Sequence, residues 1–212
     1  MMLEKLALFP LSLVPFPGER LNLHIFEPRY KQLVKDCDET GMHFGIPVFV
    51  ENEGMTYGTE MKLEKIQHIH SDGKIDISTR GLRVFQLKDY SKVMDDKLYP
   101  GGVVEYRSIN YETDLALLKS VTDLLKQLYK LMNLDYKHSD DLNTLNAFKL
   151  SVKAGLSLQQ ELRLLQLTYE TDRLSFLKNH LLNFLPAVMQ MEELRKKVKM
   201  NGHFKNIISP DV

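Results

Sequence analysis

Up to about residue 109 apolar side chains recur at every second position, and beyond it at every third or fourth. The first period belongs to strands with one buried face and the second to amphipathic helices. Hydrophobicity therefore predicts an α+β chain of two parts, a β domain over 1–109 and a helical domain over 110–212. Leu21, Leu23 and Ile25 alternate, as do Phe44, Ile46, Val48 and Val50, then Thr59, Met61 and Leu63, then Ile75, Ile77 and Thr79. The Asp72-Gly73 pair between the last two runs suits a tight hairpin turn. An antiparallel meander is expected, with a bulge or bend at Gly81 where the apolar phase becomes double-sided. Curling there implies barrel-like closure.

One helix interrupts the strands. Pro28 suits a first helical turn, and Tyr30, Leu33 and Val34 carry the period toward Gly41. A turn at Tyr99-Pro-Gly-Gly102 leads to a last strand, Val103 to Ile109.

In the second part Leu117, Val121, Leu124, Leu128 and Leu131 place one stripe on a helix over 112–134. A second stripe, Leu142, Leu145, Phe148 and Val152, follows a candidate cap at Ser139. Ser157 and Gln160 have the spacing of a capping box. Leu174, Leu177, Leu181, Phe184, Val188 and Met191 predict a last helix that Pro186 kinks or divides and Asn201-Gly202 ends.

Composition narrows the classes. Lysine plus arginine equals aspartate plus glutamate, 28 of each, so no net field draws the chain to nucleic acid or anionic lipid. A single cysteine, Cys37, excludes an internal disulfide and a cysteine-based zinc site. Asp36 and Asp38 beside it argue for a raised thiol pKa. No run approaches the ~20 apolar residues of a membrane span, and the N-terminus lacks the build of a signal peptide. A cytoplasmic protein without membrane association is the expectation.

Candidate chemistry is sparse. There is no GxxxxGK[ST] phosphate loop, no GxSxG elbow and no HExxH helix. His68 and His70 share a strand face beside Asp72, two imidazoles and a carboxylate of the kind zinc takes, yet without a fourth ligand they read as surface histidines near a hairpin. His138, Ser139 and Asp140 are explained by helix capping, because adjacency in sequence cannot build a nucleophile-base-orienter geometry. Lys196, Lys197 and Lys199 read as a solvated helix end. No catalytic residue, metal or cofactor is expected.

The opening segment FPLSLVPFPGERLNLHIFEPRY differs. Prolines at 10, 15 and 17 stop a continuous helix or central strand while apolar residues persist between them. Such an edge packs as a lid on the core or receives an extended peptide.

LALFPLSLVPFPGERLNLHIFEPRY resembles the start of the substrate-binding amino-terminal domain of Lon-type ATP-dependent proteases, with an apolar strand, FPLxLxxFPGE, a second strand, then FEPRY opening a helix. FGIPVF, the GTE stretch at 58–60, DGKIDISTRGLRVFQL, KAGLSLQQELRLLQ and MNGHFKN look like the same family's continuation, so the resemblance covers essentially the whole chain. It implies a PUA-like pseudobarrel backed by a helical bundle. It also implies recognition without proteolysis, because the ATPase and serine-lysine peptidase modules that follow this domain in Lon lie beyond the end of this sequence. Glu27, Arg29, Tyr30 and Lys31 match the family's motif at the strand-to-helix corner and are the implied polypeptide contacts, with Pro28 architectural. The partners implied are unfolded or specific client polypeptides, and a separate protease or chaperone served as an adaptor. The alternative is an RNA-binding PUA-like protein, against which the zero net charge argues. A hydrolase with a site outside the known motifs is a third option.

Overall fold

The computed structural model describes residues 3–51, 54–136 and 141–204, with side chains as far as Val198. Six strands, β1 (Leu3–Leu8), β2 (Arg20–Ile25), β3 (Phe44–Val50), β4 (Gly54–Ile69), β5 (Ile75–Ser91) and β6 (Gly101–Tyr106), form one sheet, with α1 (Pro28–Thr40) between β2 and β3. Helices follow: α2 (Leu115–Leu131), a 3-10 turn (Leu142–Thr144), α3 (Ala147–Ser151), α4 (Leu158–Gln166) and α5 (Glu170–Phe204). The class is mixed α+β, as the change of period predicts.

The strand order is β2-β5-β4-β3-β1-β6, and β5 also pairs with β6. Strands β5, β4, β3, β1 and β6 therefore close on themselves, while β2 is added along the first half of β5. The meander runs through β3-β4-β5-β6 and leaves out β1 and β2. β1 runs parallel to β3, and β2 crosses over to β5 through the register Arg20↔Arg80 to Ile25↔Ile75. Strands β4 and β5, of 16 and 17 residues, are long enough to serve both the closed ring and β2. The expected irregularity at Gly81 is present, a register shift where Met61↔Gly81 gives way to Thr59↔Val84.

α1 starts on Pro28 and stops at Gly41, whose φ of 72° supplies the left-handed C-cap. Its buried face, Tyr30, Leu33, Val34 and Cys37, joins a core with Phe9, Ile25, Phe44, Ile46, Met61 and Ile77. Burial, and then Asp36, push the Cys37 thiol up to about 12, so it packs as a small apolar side chain.

Two compact units are distinguished. One holds the residues up to Glu112 together with Leu156–Glu170, and the other holds Thr113–Gly155 and the residues from Thr171 onward. In the first, α4 packs on β3 and β4, and its Ser157–Gln160 capping box is formed in both directions. In the second, α2 buries Leu118, Val121, Leu125 and Leu128. This stripe is rotated from the predicted one: leucine doublets at 117–118 and 124–125 fit either face, and packing chose the second member of each.

The predicted helix over 142–152 is broken. Asp141 caps the 3-10 turn, Leu145 is extended (φ −101°, ψ 152°), and the Asn146 side chain accepts from Lys149 N to start α3 afresh. The candidate cap Ser139, with His138 and Asp140, lies outside the described residues, as does the end of the tail from residue 205. α5 runs undivided through Pro186. The residue whose carbonyl loses its bond there, Leu182, is exposed, which lets water take the proline's place. α5 also continues past Asn201-Gly202 to Phe204, since a glycine costs a helix only about 1 kcal/mol. Lys196 and Lys197 accordingly lie on an exposed helical stretch rather than at its end.

Candidate functional site

The proline-broken segment packs as a lid. Phe9, Val14 and Phe16 are buried, and the backbone groups that the prolines leave without a ladder find partners one by one. Phe9 N donates to Gly45 O (2.8 Å), Phe49 N to Leu11 O (2.9 Å), and the Thr59 hydroxyl to Pro15 O (2.5 Å). Gly81 exchanges two bonds with the lid, donating to Glu19 O and accepting from Gly18 N. A Cβ on Gly81 would stand 2.2 Å from Phe16 O, so the close approach requires glycine.

The lid leads into β2 and the corner Phe26-Glu27-Pro28. Phe26 is 60% exposed, a large apolar side chain left outside the core at the point where strand turns into helix. Glu27 occupies the N-cap of α1 without capping through its side chain, which instead pairs with Arg29 at 2.8 Å. The Arg29 guanidinium stands 4.6 Å from the centre of the Tyr30 ring. Tyr30 itself is 5% exposed and stacks on Phe9, so it supports the corner from beneath. Lys31 reaches across to the β4–β5 turn, its Nζ above Gly73. The structure therefore brings Glu27, Arg29 and Lys31 to one partly exposed corner and places the ring of Tyr30 in the core.

Beside this corner runs β2, the end of the strand order, whose outer edge has no strand partner among the described residues. Leu21 and Leu23 are half-buried and pack against the core, while Arg20, Asn22 and His24 face outward. Their face continues across β5 and β4 as a polar ladder. Glu64 bridges Arg20 and Arg80, and Gln67 donates to Asn22 Oδ1 at 3.3 Å. Hydrogen bonds first from Arg80 and then from Arg20 hold the Glu64 carboxyl below its ordinary range.

The hairpin histidines are arranged differently from the expectation. Asp72 is taken by Lys74 at 2.8 Å, and His70 turns instead to Asp76, which His24 of β2 also reaches. Spacing in sequence could show His68, on β4, and His70, just past its end; His24 and Asp76 come from β2 and β5 and are brought in by register alone.

A separate ion-pair cluster lies on β4. Glu60, 3% exposed, meets Arg83 Nε at 2.6 Å and His43 Nδ1 at 3.0 Å. Arg83 in turn lies over the Tyr106 ring, 3.5 Å from its centre. A small pocket of about 130 Å³ opens near the β5–β6 pairing, and its one serine, Ser91, donates to Val93 O at 2.6 Å. Among the described residues no helix is long and apolar enough to cross a membrane.

The family model described as the ATP-dependent protease La (Lon) substrate-binding domain matches residues 5–197. Among solved structures, a Lon N-terminal domain protein from Xanthomonas campestris is similar at 29% identity and a TM-score of 0.61, over 81% of this chain and 95% of that one. The N-terminal domain of the Mycobacterium avium complex Lon protease is similar at 17% identity and a TM-score of 0.61, over 84% and 98%. At that identity the second likeness bears on the fold alone.

Proposed function

The chain belongs to the Lon substrate-binding domain family, and from that membership we propose that it is a non-catalytic polypeptide-recognition module, an adaptor that presents clients in protein quality control. The observation that carries this reading is the outer edge of β2, which among the described residues has no strand partner along Arg20–Ile25 and is continuous with the exposed corner at Phe26. An extended chain adds to such an edge through its backbone, which gives affinity with little regard to sequence. Leu21 and Leu23 on one side of the strand offer apolar contact to alternate residues of the guest. Phe26, Arg29, Glu27 and Lys31 then meet the guest where it leaves the sheet.

Edge strands left bare are a hazard that proteins blunt with charge, and β2 carries Arg20 and His24 on its outer face. Charge there favours a transient guest over permanent self-pairing. The proposal extends to the absence of chemistry: Glu27, Arg29 and Lys31 include no nucleophile poised beside a base, and the Ser91 hydroxyl in the small pocket donates to a backbone carbonyl, Val93 O.

Amide hydrogen exchange with and without a reduced, carboxymethylated globular protein tests this reading. Residues 20–25 are expected to gain protection when that unfolded chain is added. No binding, or protection confined to residues away from β2 and the corner, overturns it. RNA that binds with an affinity falling steeply as salt rises, in place of the polypeptide, points to the nucleic-acid alternative.

A further inference from the structure

Three imidazoles surround one carboxylate at the far end of the β2-β5-β4 ladder. Antiparallel register sets Asp76 of β5 opposite His24 on one side and opposite His68 on the other. His70, one residue past the end of β4, turns back to the same carboxylate. The two oxygens of Asp76 are shared out, Oδ1 lying 2.6 Å from His24 Nδ1 and Oδ2 lying 2.7 Å from His70 Nε2. The His68 ring stands edge-on to His70, with centroids 4.5 Å apart.

We infer that His24, His70 and Asp76 form a binding site for a divalent transition-metal cation of the zinc type, with the fourth position open to water or to His68. Donor atoms of the three side chains lie within 4.8 Å of one another. A tetrahedral zinc site with bonds of about 2.0–2.2 Å separates its ligands by roughly 3.4 Å. The two hydrogen-bonded pairs must therefore open by less than about 1 Å, and the two rings must draw together by a comparable distance. The side chains of His24, His70 and Asp76 are 51%, 37% and 34% exposed, so they have room to make that movement and the ion has a path in.

The proton balance also permits it. Each neutral imidazole has one proton, and moving it to the ring nitrogen that faces away from Asp76 frees the near nitrogen as a ligand. Asp76 supplies one negative charge, and the neighbouring Lys74 is already engaged by Asp72. Two imidazoles with one carboxylate select zinc, copper or nickel over magnesium or calcium, which prefer all-oxygen shells. His24 lies on β2, Asp76 on β5 and His70 at the start of the β4–β5 turn, so the ion would clamp β2 to β5 and to that turn, and its stabilisation would grow with the logarithm of metal concentration.

Titration of the full, chelator-stripped chain with Zn²⁺, followed by calorimetry and by melting, tests the site. One equivalent is expected to bind, with a melting temperature that rises with Zn²⁺ and ignores Mg²⁺, and Co²⁺ is expected to give the visible absorption of a four-coordinate site. His24→Ala, His70→Gln and Asp76→Asn should each weaken Zn²⁺ binding at least about tenfold, with the metal-free variants checked for folding by circular dichroism; His43→Ala, away from the site, should not weaken it. Absence of binding, less than tenfold weakening in the folded His24→Ala and His70→Gln variants, or equal loss in His43→Ala overturns the assignment.

Discussion

The ring of Phe9 lies on the ring of Tyr30, with centroids 3.9 Å apart and planes 27° from parallel. This one contact joins the proline-broken lid to the first turn of α1, so the family-like opening segment and the FEPRY corner are two sides of the same core. It also separates what Tyr30 does from what its neighbours do.

Tyr30→Ala is expected to cost about 3–5 kcal/mol of folding stability, the usual effect of deleting a buried aromatic ring. Tyr30→Phe keeps the stacking and should fold and bind unfolded polypeptide as the wild type does. Urea unfolding and fluorescence anisotropy check the two halves of this prediction. A folded Tyr30→Phe protein that no longer binds would make the hydroxyl a direct contact.

Phe26→Ala, and Arg29→Ala with Lys31→Ala, should behave in the opposite way. Phe26 is largely outside the core, so its loss should change stability by no more than about 0.5 kcal/mol. Affinity for an unfolded chain should fall roughly tenfold, corresponding to about 1.4 kcal/mol. Anisotropy titrations on variants with unchanged melting curves measure this directly.

Gly81→Ala should destabilise by about 1–3 kcal/mol, the range for forcing a group into a packed site. The added methyl meets the Phe16 carbonyl, and relief requires pulling the lid from β5. Exchange of the Gly18 amide, bonded to Gly81 O, should accelerate in step. An unchanged unfolding midpoint would show that the lid yields without cost.

Acid should weaken the fold through Glu60. Burial raises its pKa, but hydrogen bonds from Arg83 and His43 outweigh that and hold it below the ordinary value of 4.5. A depressed carboxyl stabilises fully above its unfolded pKa, and that contribution is lost as pH falls through the folded pKa. Glu60→Gln should therefore cost about 2 kcal/mol near neutrality, with the gap to wild type closing as pH drops below about 4. Urea midpoints between pH 3 and 7 follow it; a gap that stays constant with pH would assign the loss to packing.

Much of the fold was written in local patterns. The alternation in Phe44–Val50, Pro28 at the start of α1, Gly41 at its end and the Ser157–Gln160 box are short-range signals, each decided by a few neighbouring residues and a fixed backbone geometry. The helix predicted over 142–152 shows where such signals stop. Its apolar spacing fits one helix, but Asn146 offers the backbone a new cap and the chain breaks before it.

The sequence by itself determined the family, the change from strands to helices, and the strand-to-helix corner that carries Glu27, Arg29 and Lys31. Only the tertiary structure decided that Tyr30 faces the core, that α2 buries Leu118 and Leu125, and that β2 pairs with β5 and has no strand on its other edge among the described residues. It also decided that His70 meets His24 and Asp76 rather than Asp72. The physical reason is range: turns, caps and periods are settled within a few residues, whereas strand pairing and the choice of buried face depend on which distant surfaces meet, and His24 reaches Asp76 only through a register set 52 residues away.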